Sequence, residues 1–187
     1  MPPTQLTSEE KFWAVLSHLS SLAGGVGMII PTYGWIENRK KSAYAAFQSL
    51  QALGYQSLGY TLWAVFYLLV LAVLFFVTVP MMVQDVQKGG TVAGWLGAHA
   101  LVAFGLFAIY LLFPIVGAVR CGLGRDFDYP LLGSRLARYL GYKPAADAQL
   151  DEDRADRFAV SMGHFGVIFP LWGTFVPIAL LTTQGAR

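Results

Sequence analysis

Three histidines, His18, His99 and His164, are the side chains in this sequence that titrate near neutral pH while lying inside long stretches without charge. Imidazole nitrogens are haem and metal ligands, and two that face each other across a helical bundle can hold an iron. His18 and His99 lie at similar depth if each belongs to a separate membrane span entered from the same side. The other reading is that each ring hydrogen-bonds a neighbouring helix. Isolated histidines without companion carboxylates favour that reading, and no metal site or cofactor is expected. Gln48, Gln51 and Gln56 form a second set. They line a polar groove, bind a partner helix, or cross-link helices of their own bundle, the last being favoured.

Other reactive types lack the company that catalysis needs. Cys121 is the single cysteine, so it forms no intramolecular disulfide and belongs to no CxxC motif. A structural or palmitoylated thiol fits it better than a nucleophile. Gly122-Leu123-Gly124 follows no strand, which removes the phosphate-loop reading. Asp151, Glu152, Asp153 and Asp156 interleave with Arg154 and Arg157 as a charge-balanced linker. No Ser-His-Asp, HExxH or paired-carboxylate arrangement is present, and the expectation is that the protein is not an enzyme.

The elements that must hold these residues follow from charge. The 187 residues are 56% hydrophobic and 13% charged, about half the charge of an ordinary soluble domain. No charged residue falls between Lys11 and Glu37, Lys41 and Asp85, Lys88 and Arg120, or Arg157 and Arg187. Each window exceeds the roughly 20 residues that cross a bilayer core about 30 Å thick. The pattern predicts an all-α polytopic integral membrane protein, a single membrane domain over 1–187. Its four transmembrane helices are expected at about 12–36, 58–82, 93–119 and 158–181, with short interfacial amphipathic helices beside them. The first eleven residues lack the basic and small-residue pattern of a cleaved signal peptide, so Phe12 onward is expected to remain.

Ser8-Glu9-Glu10-Lys11 marks a helix start. Gly24, Gly25 and Gly27, with Ser17, Ser20 and Ser21, make the first span suited to close helix contact. Ala43 to Gly54 is an interfacial helix or the submerged first turns of the second span. Pro114 falls late enough in the third to kink it. In the loop 120–157, Asp128 and Pro130 begin a helix that Gly141 stops, with Leu132, Leu136 and Tyr139 on one face. Its Arg135 and Arg138, like Arg39, Lys40 and Lys41 of the first loop, are expected at an anionic membrane surface.

Lys and Arg set the orientation. Ten in loops one and three stand against Lys11, Lys88 and Arg187 on the other side. The imbalance predicts that loops 37–42 and 120–157 are cytoplasmic and both termini outside, in the plasma (inner) membrane. Spans one and four also echo each other. Glu10-Lys11-Phe12 before His18 parallels Asp156-Arg157-Phe158 before His164, with Pro31 and Pro177 at matching distances beyond. Entered from opposite faces, the two would form an inverted repeat.

Ala14-Val15-Leu16-Ser17-His18-Leu19-Ser20, Ile30-Pro31, Arg39-Lys40-Lys41 and Gln51-Ala52-Leu53-Gly54-Tyr55-Gln56 carry a family resemblance. So does Gly124-Arg125-Asp126-Phe127-Asp128-Tyr129-Pro130-Leu131. Over about Phe12 to Leu140 the chain resembles a family of small bacterial membrane proteins of unknown function. That family is similar to the twenty-kilodalton subunit of the protein-import translocon at the chloroplast inner envelope. The chain departs from it with Gln48 in place of a usual histidine and Gly54 in place of a usual asparagine. The resemblance implies an all-helical membrane protein acting in protein assemblies or translocation, and supplies no catalytic residue.

The function expected is that of a non-enzymatic accessory or scaffolding subunit of a larger membrane complex. Its partners are the lipid bilayer and other membrane subunits, and a net charge of +2 implies no nucleic acid. The alternatives are a translocation or transport channel component, and a small haem-binding electron-transfer subunit using His18 and His99.

Overall fold

In the computed structural model, residues 6–88, 92–143 and 149–166 are described. Among them every regular element is helical, and three stretches are long and apolar enough to cross a membrane: Ser8–Asn38, Ala43–Gln87 and Val92–Gly122.

The first of these does not run straight. Helix α1 (Ser8–Leu19) begins on a capping box in which Thr7, one residue before the expected start, exchanges hydrogen bonds with Glu10. A 3-10 stretch over Ser20–Met28 follows, and α2 (Ile29–Asn38) runs back along α1. Gly24 makes the reversal with φ of 67° and ψ of −152°, a conformation that a side chain disfavours. Gly27 closes the turn, where any Cβ would sit 1.8 Å from the Ser20 carbonyl oxygen. The Ser20 and Ser21 hydroxyls donate to the carbonyls of Ser17 and His18 as the helix ends. Gly34 on α2 then lies against Ser17 and Trp13 of α1, and Ser42 donates to Glu10 at 2.6 Å. Each leg, of 12 and 10 residues, is only about 15–18 Å long, too short for a core of about 30 Å. The expected span 12–36 is therefore a re-entrant hairpin, and its two ends lie at the same end of the molecule.

Helix α3 (Ala43–Val73) starts on a Ser42 cap and is continuous, so Ala43–Gly54 forms its first turns. One π turn, Leu74–Thr78, leads into α4 (Val79–Gln87). Pro80 lacks the N–H that would complete the preceding ladder, which accounts for the widened turn. Helix α5 (Val92–Gly122) returns antiparallel, with Trp63 against Phe107, Thr78 bonded to His99, and Trp95 bonded to Asp85. Pro114 of α5 frees the carbonyl four residues back, Tyr110, and the Tyr55 hydroxyl donates to that oxygen at 2.7 Å.

The long α3–α4 and α5 pair has two environments. From Leu62 to Val86 and from Val92 to Val119, large apolar side chains face outward, as lipid requires. Around the first four turns of α3 the reverse holds. Tyr44 to Gly54 are buried on all sides by the hairpin, by the segment after α5, and by α7 (Glu152–Gly166).

Helix α6 (Gly133–Leu140) starts later than expected because Leu131 takes a positive φ of 65°. Gly141, at φ 69°, ends it, with Tyr142 N–H returning to the Ala137 carbonyl. Its apolar face is Leu136 and Leu140, both packed in the core, while Tyr139 is exposed. Of the face expected to lie on the membrane, Leu136 is covered by protein, Leu132 is half-buried and Tyr139 is exposed.

Arg39 pairs with Asp156 at 3.3 Å and lies over the Trp35 ring. It is a clasp between α2 and α7 rather than a cation at the membrane surface, unlike the exposed Lys40 and Lys41. The clasp also places the start of α7 beside the end of the hairpin, where α1 starts. Helices α1 and α7 therefore enter from one end, so the echo around His18 and His164 is not an inverted repeat. The expected fourth span lies largely outside the described residues, which carry α7 to Gly166.

Candidate functional site

A set of buried polar side chains converges where α1, α3 and the segment 126–129 meet. Gln51 is fully buried on α3, and its amide behaves as a peptide group would toward a neighbouring strand. Its Nε2 donates to the Phe127 carbonyl at 2.8 Å, and its Oε1 accepts from the Tyr129 N–H at 2.7 Å. One helical turn earlier, Gln48 Nε2 donates to the Phe127 carbonyl and to Asp126, each at 3.2 Å. Gly133 permits this approach, since a Cβ there would stand 2.4 Å from Gln51 Oε1.

His18 completes the set from α1. Gln48 Oε1 can only accept, so His18 Nε2 donates to it at 3.0 Å. His18 Nδ1 then accepts from the Tyr129 hydroxyl at 2.9 Å. Burial holds the Tyr129 hydroxyl well above its ordinary pKa, so it remains a donor near neutral pH. Phe127 and Tyr129 meet the imidazole edge-on, and Tyr129 stacks on Tyr55 at 3.9 Å between ring centres. Further along α3, Ser49 bonds Ser17 at 3.0 Å. Gln56 Nε2 donates to the Ser17 carbonyl and to Ser20, and Tyr60 donates to the Ser21 carbonyl. The re-entrant hairpin is fastened to α3 along its whole depth.

At the rim, Tyr142 donates to Asp126 at 3.0 Å. Burial and then the neighbouring Asp126 charge raise the Asp128 carboxyl above the usual range, with Arg120 offsetting part of the effect.

The histidines do not meet. His18 faces Gly117 of α5, whereas His99 lies 18 positions earlier on that helix, about 27 Å along the axis. His99 instead bonds Thr78 at 3.2 Å and the Trp95 carbonyl at 3.0 Å. Both nitrogens of His18 are occupied, so the expected facing pair for a haem is not formed. His164, near the end of α7, starts from the same end as His18 and not from the opposite face. Among the described residues no group of three His, Cys, Asp or Glu side chains could hold a metal ion. Cys121 is buried and free.

Tyr129, Asp126 and Phe127 are central here; the sequence marked them only as part of the segment that carries the family resemblance, with no contact assigned to them. The signal was a run of aromatic and acidic residues just beyond an apolar span, a pattern that predicts a loop but not what the loop covers.

A sequence profile of the magnetosome magnetite crystal formation protein family matches residues 9–136. The chain belongs to that family. The matched stretch holds all of the hairpin but its first residue, both long helices and every residue of the buried network from His18 to Tyr129, and it ends before α7. No curated protein and no solved structure matches the chain. The expectation of a small bacterial membrane-protein family stands, while the likeness to the chloroplast translocon subunit gains no support.

Proposed function

We propose that the protein is a non-enzymatic subunit of a membrane complex taking part in magnetite crystal formation, where it scaffolds other membrane proteins. The observation that carries this reading is how its polar groups are used. His18, Gln48 and Gln51 bond to each other and to the 126–129 segment, so they hold a rigid helical head together instead of facing a substrate. Family membership supplies the process. The outward apolar side chains of α3, α4 and α5 offer surface to lipid and to neighbouring helices.

The head belongs in the cytoplasm on this reading. Lys11, Arg39, Lys40, Lys41, Arg120, Arg125, Arg135, Arg138, Lys143, Arg154 and Arg157 lie at that end, and Lys88 lies at the other. The hairpin moves Lys11 to the same side as the first loop, so residues 6–11 are read as cytoplasmic, against the alternation that four straight spans would impose.

The test is affinity purification of the full chain from native membranes in mild detergent, after lysine cross-linking. Stoichiometric membrane partners, and altered magnetite crystals when the chain is deleted, are expected. A lone monomer together with unchanged crystals would sink the proposal.

A further inference from the structure

A groove runs between α3 and α5 beneath α6, with a volume of about 530 Å³, within the roughly 300–1,000 Å³ usual for ligand sites. Leu62, Phe66, Leu106 and Tyr110 line its length, and Leu131 and Arg135 stand at its head. Phe66 also lines a second apolar cavity, of about 390 Å³, whose lining includes His99. We infer that this groove binds one anionic phospholipid, with an acyl chain between α3 and α5 and the phosphate on Arg135.

Three observations choose that occupant. First, the groove opens sideways at lipid-facing positions, since Leu62 is 69% and Leu106 45% exposed. An acyl chain can therefore enter from the bilayer without passing through water. Second, Arg135 is the only charged residue among the described lining residues, and it makes no ion pair among the described residues. A guanidinium above an apolar slot complements a phosphate above a hydrocarbon chain, and its fork suits phosphate oxygens. Third, Leu131 holds a positive φ of 65° while 79% exposed. A residue without glycine's freedom adopts that geometry at a cost, and such strain collects at ligand sites. Here it sets an apolar side chain over the groove beside Arg135, at the boundary between headgroup and chain.

A partner helix fits less well. A helix about 10 Å across fills about 400 Å³ per turn, so the groove of about 530 Å³ would take little more than one turn.

The full chain is placed in nanodiscs of equal parts phosphatidylglycerol and phosphatidylcholine with matched acyl chains. It is then extracted in mild detergent and weighed by native mass spectrometry. The wild type should keep one phosphatidylglycerol per chain, preferred about tenfold over phosphatidylcholine, as expected for one charge-assisted contact. Arg135→Gln should abolish that preference. Arg138→Gln, on the same helix but outside the groove, should retain it. Leu106→Trp should fill the groove and lower retention of both lipids. Equal retention of both lipids by the wild type would overturn the inference, as would equal losses in the two arginine variants. A photoreactive residue at position 62 that links to protein, whether this chain's C-terminal residues or another subunit, and not to lipid, would overturn it as well.

Discussion

At the scale of single residues, the fold rests on amides that replace backbone. Gln51 satisfies one carbonyl and one N–H of a segment that has no ladder of its own. Gln51→Leu keeps the volume but leaves the Tyr129 N–H buried without its acceptor, which costs about 1–3 kcal/mol. For a chain of this size that lowers the unfolding midpoint by about 2–4 °C per kcal/mol. Tyr129→Phe removes only the hydroxyl on His18 Nδ1 and should cost about 1–2 kcal/mol. Because Gln48 links the two sites, the double variant should lose less than the sum, a coupling that thermal melts in detergent can read. Strict additivity would show that the network is not one unit. Glutamines in an apolar setting were legible in the sequence as groups needing partners. The identity of those partners was not, because Phe127 and Tyr129 lie 76 and 78 positions from Gln51 and no local pattern reports so distant a contact.

At the scale of elements, the hairpin is what hydropathy could not see. A window such as 12–36 records how many apolar residues occur in a row, not whether the chain reverses within it. The glycines at 24, 25 and 27 suggested close helix packing, and they do permit it, but through a turn. Gly27→Val should prevent closure, because its Cβ would meet the Ser20 carbonyl at 1.8 Å and not a movable side chain. A loss of about 3 kcal/mol is expected, from overpacking against backbone. Gly97→Ala on α5 serves as the control, since its Cβ would meet nothing within 4 Å. It should be neutral or stabilise by up to about 1 kcal/mol. Pro114 shows what was legible in part. Its position in a span predicted a disturbed helix, and Tyr55 supplies the missing hydrogen bond. Tyr55→Phe should leave the Tyr110 carbonyl unpaired at the cost of about 1–3 kcal/mol. A midpoint unchanged from wild type would mean that another donor serves that oxygen.

At the scale of the whole molecule, the hairpin decides which ends of the chain share a compartment. Four straight spans put Glu9 and Lys40 on opposite sides of the bilayer. The folded-back hairpin puts them together, because Ser42 bonds Glu10 where α3 begins. Lys88 stands at the far end of the long helix pair from both, which on the proposed topology puts it on the other side of the membrane. Cys121 is the single cysteine and is fully buried, so an impermeant maleimide should leave the native chain unlabelled and the background silent. Glu9→Cys, Lys40→Cys and Lys88→Cys each place a thiol at an exposed position. With the head in the cytoplasm, intact cells should label the position-88 variant alone if the protein sits in the cell membrane, and lysis should expose the other two together. In a closed internal compartment intact cells should label none of the three, and opening the cell while the compartment stays sealed should label positions 9 and 40 as a pair and leave 88 protected. Labelling of positions 9 and 40 from opposite sides would restore a straight first span. It would break the Ser42–Glu10 contact and, with it, the arrangement that lets Ser17, His18 and Ser20 lie alongside α3.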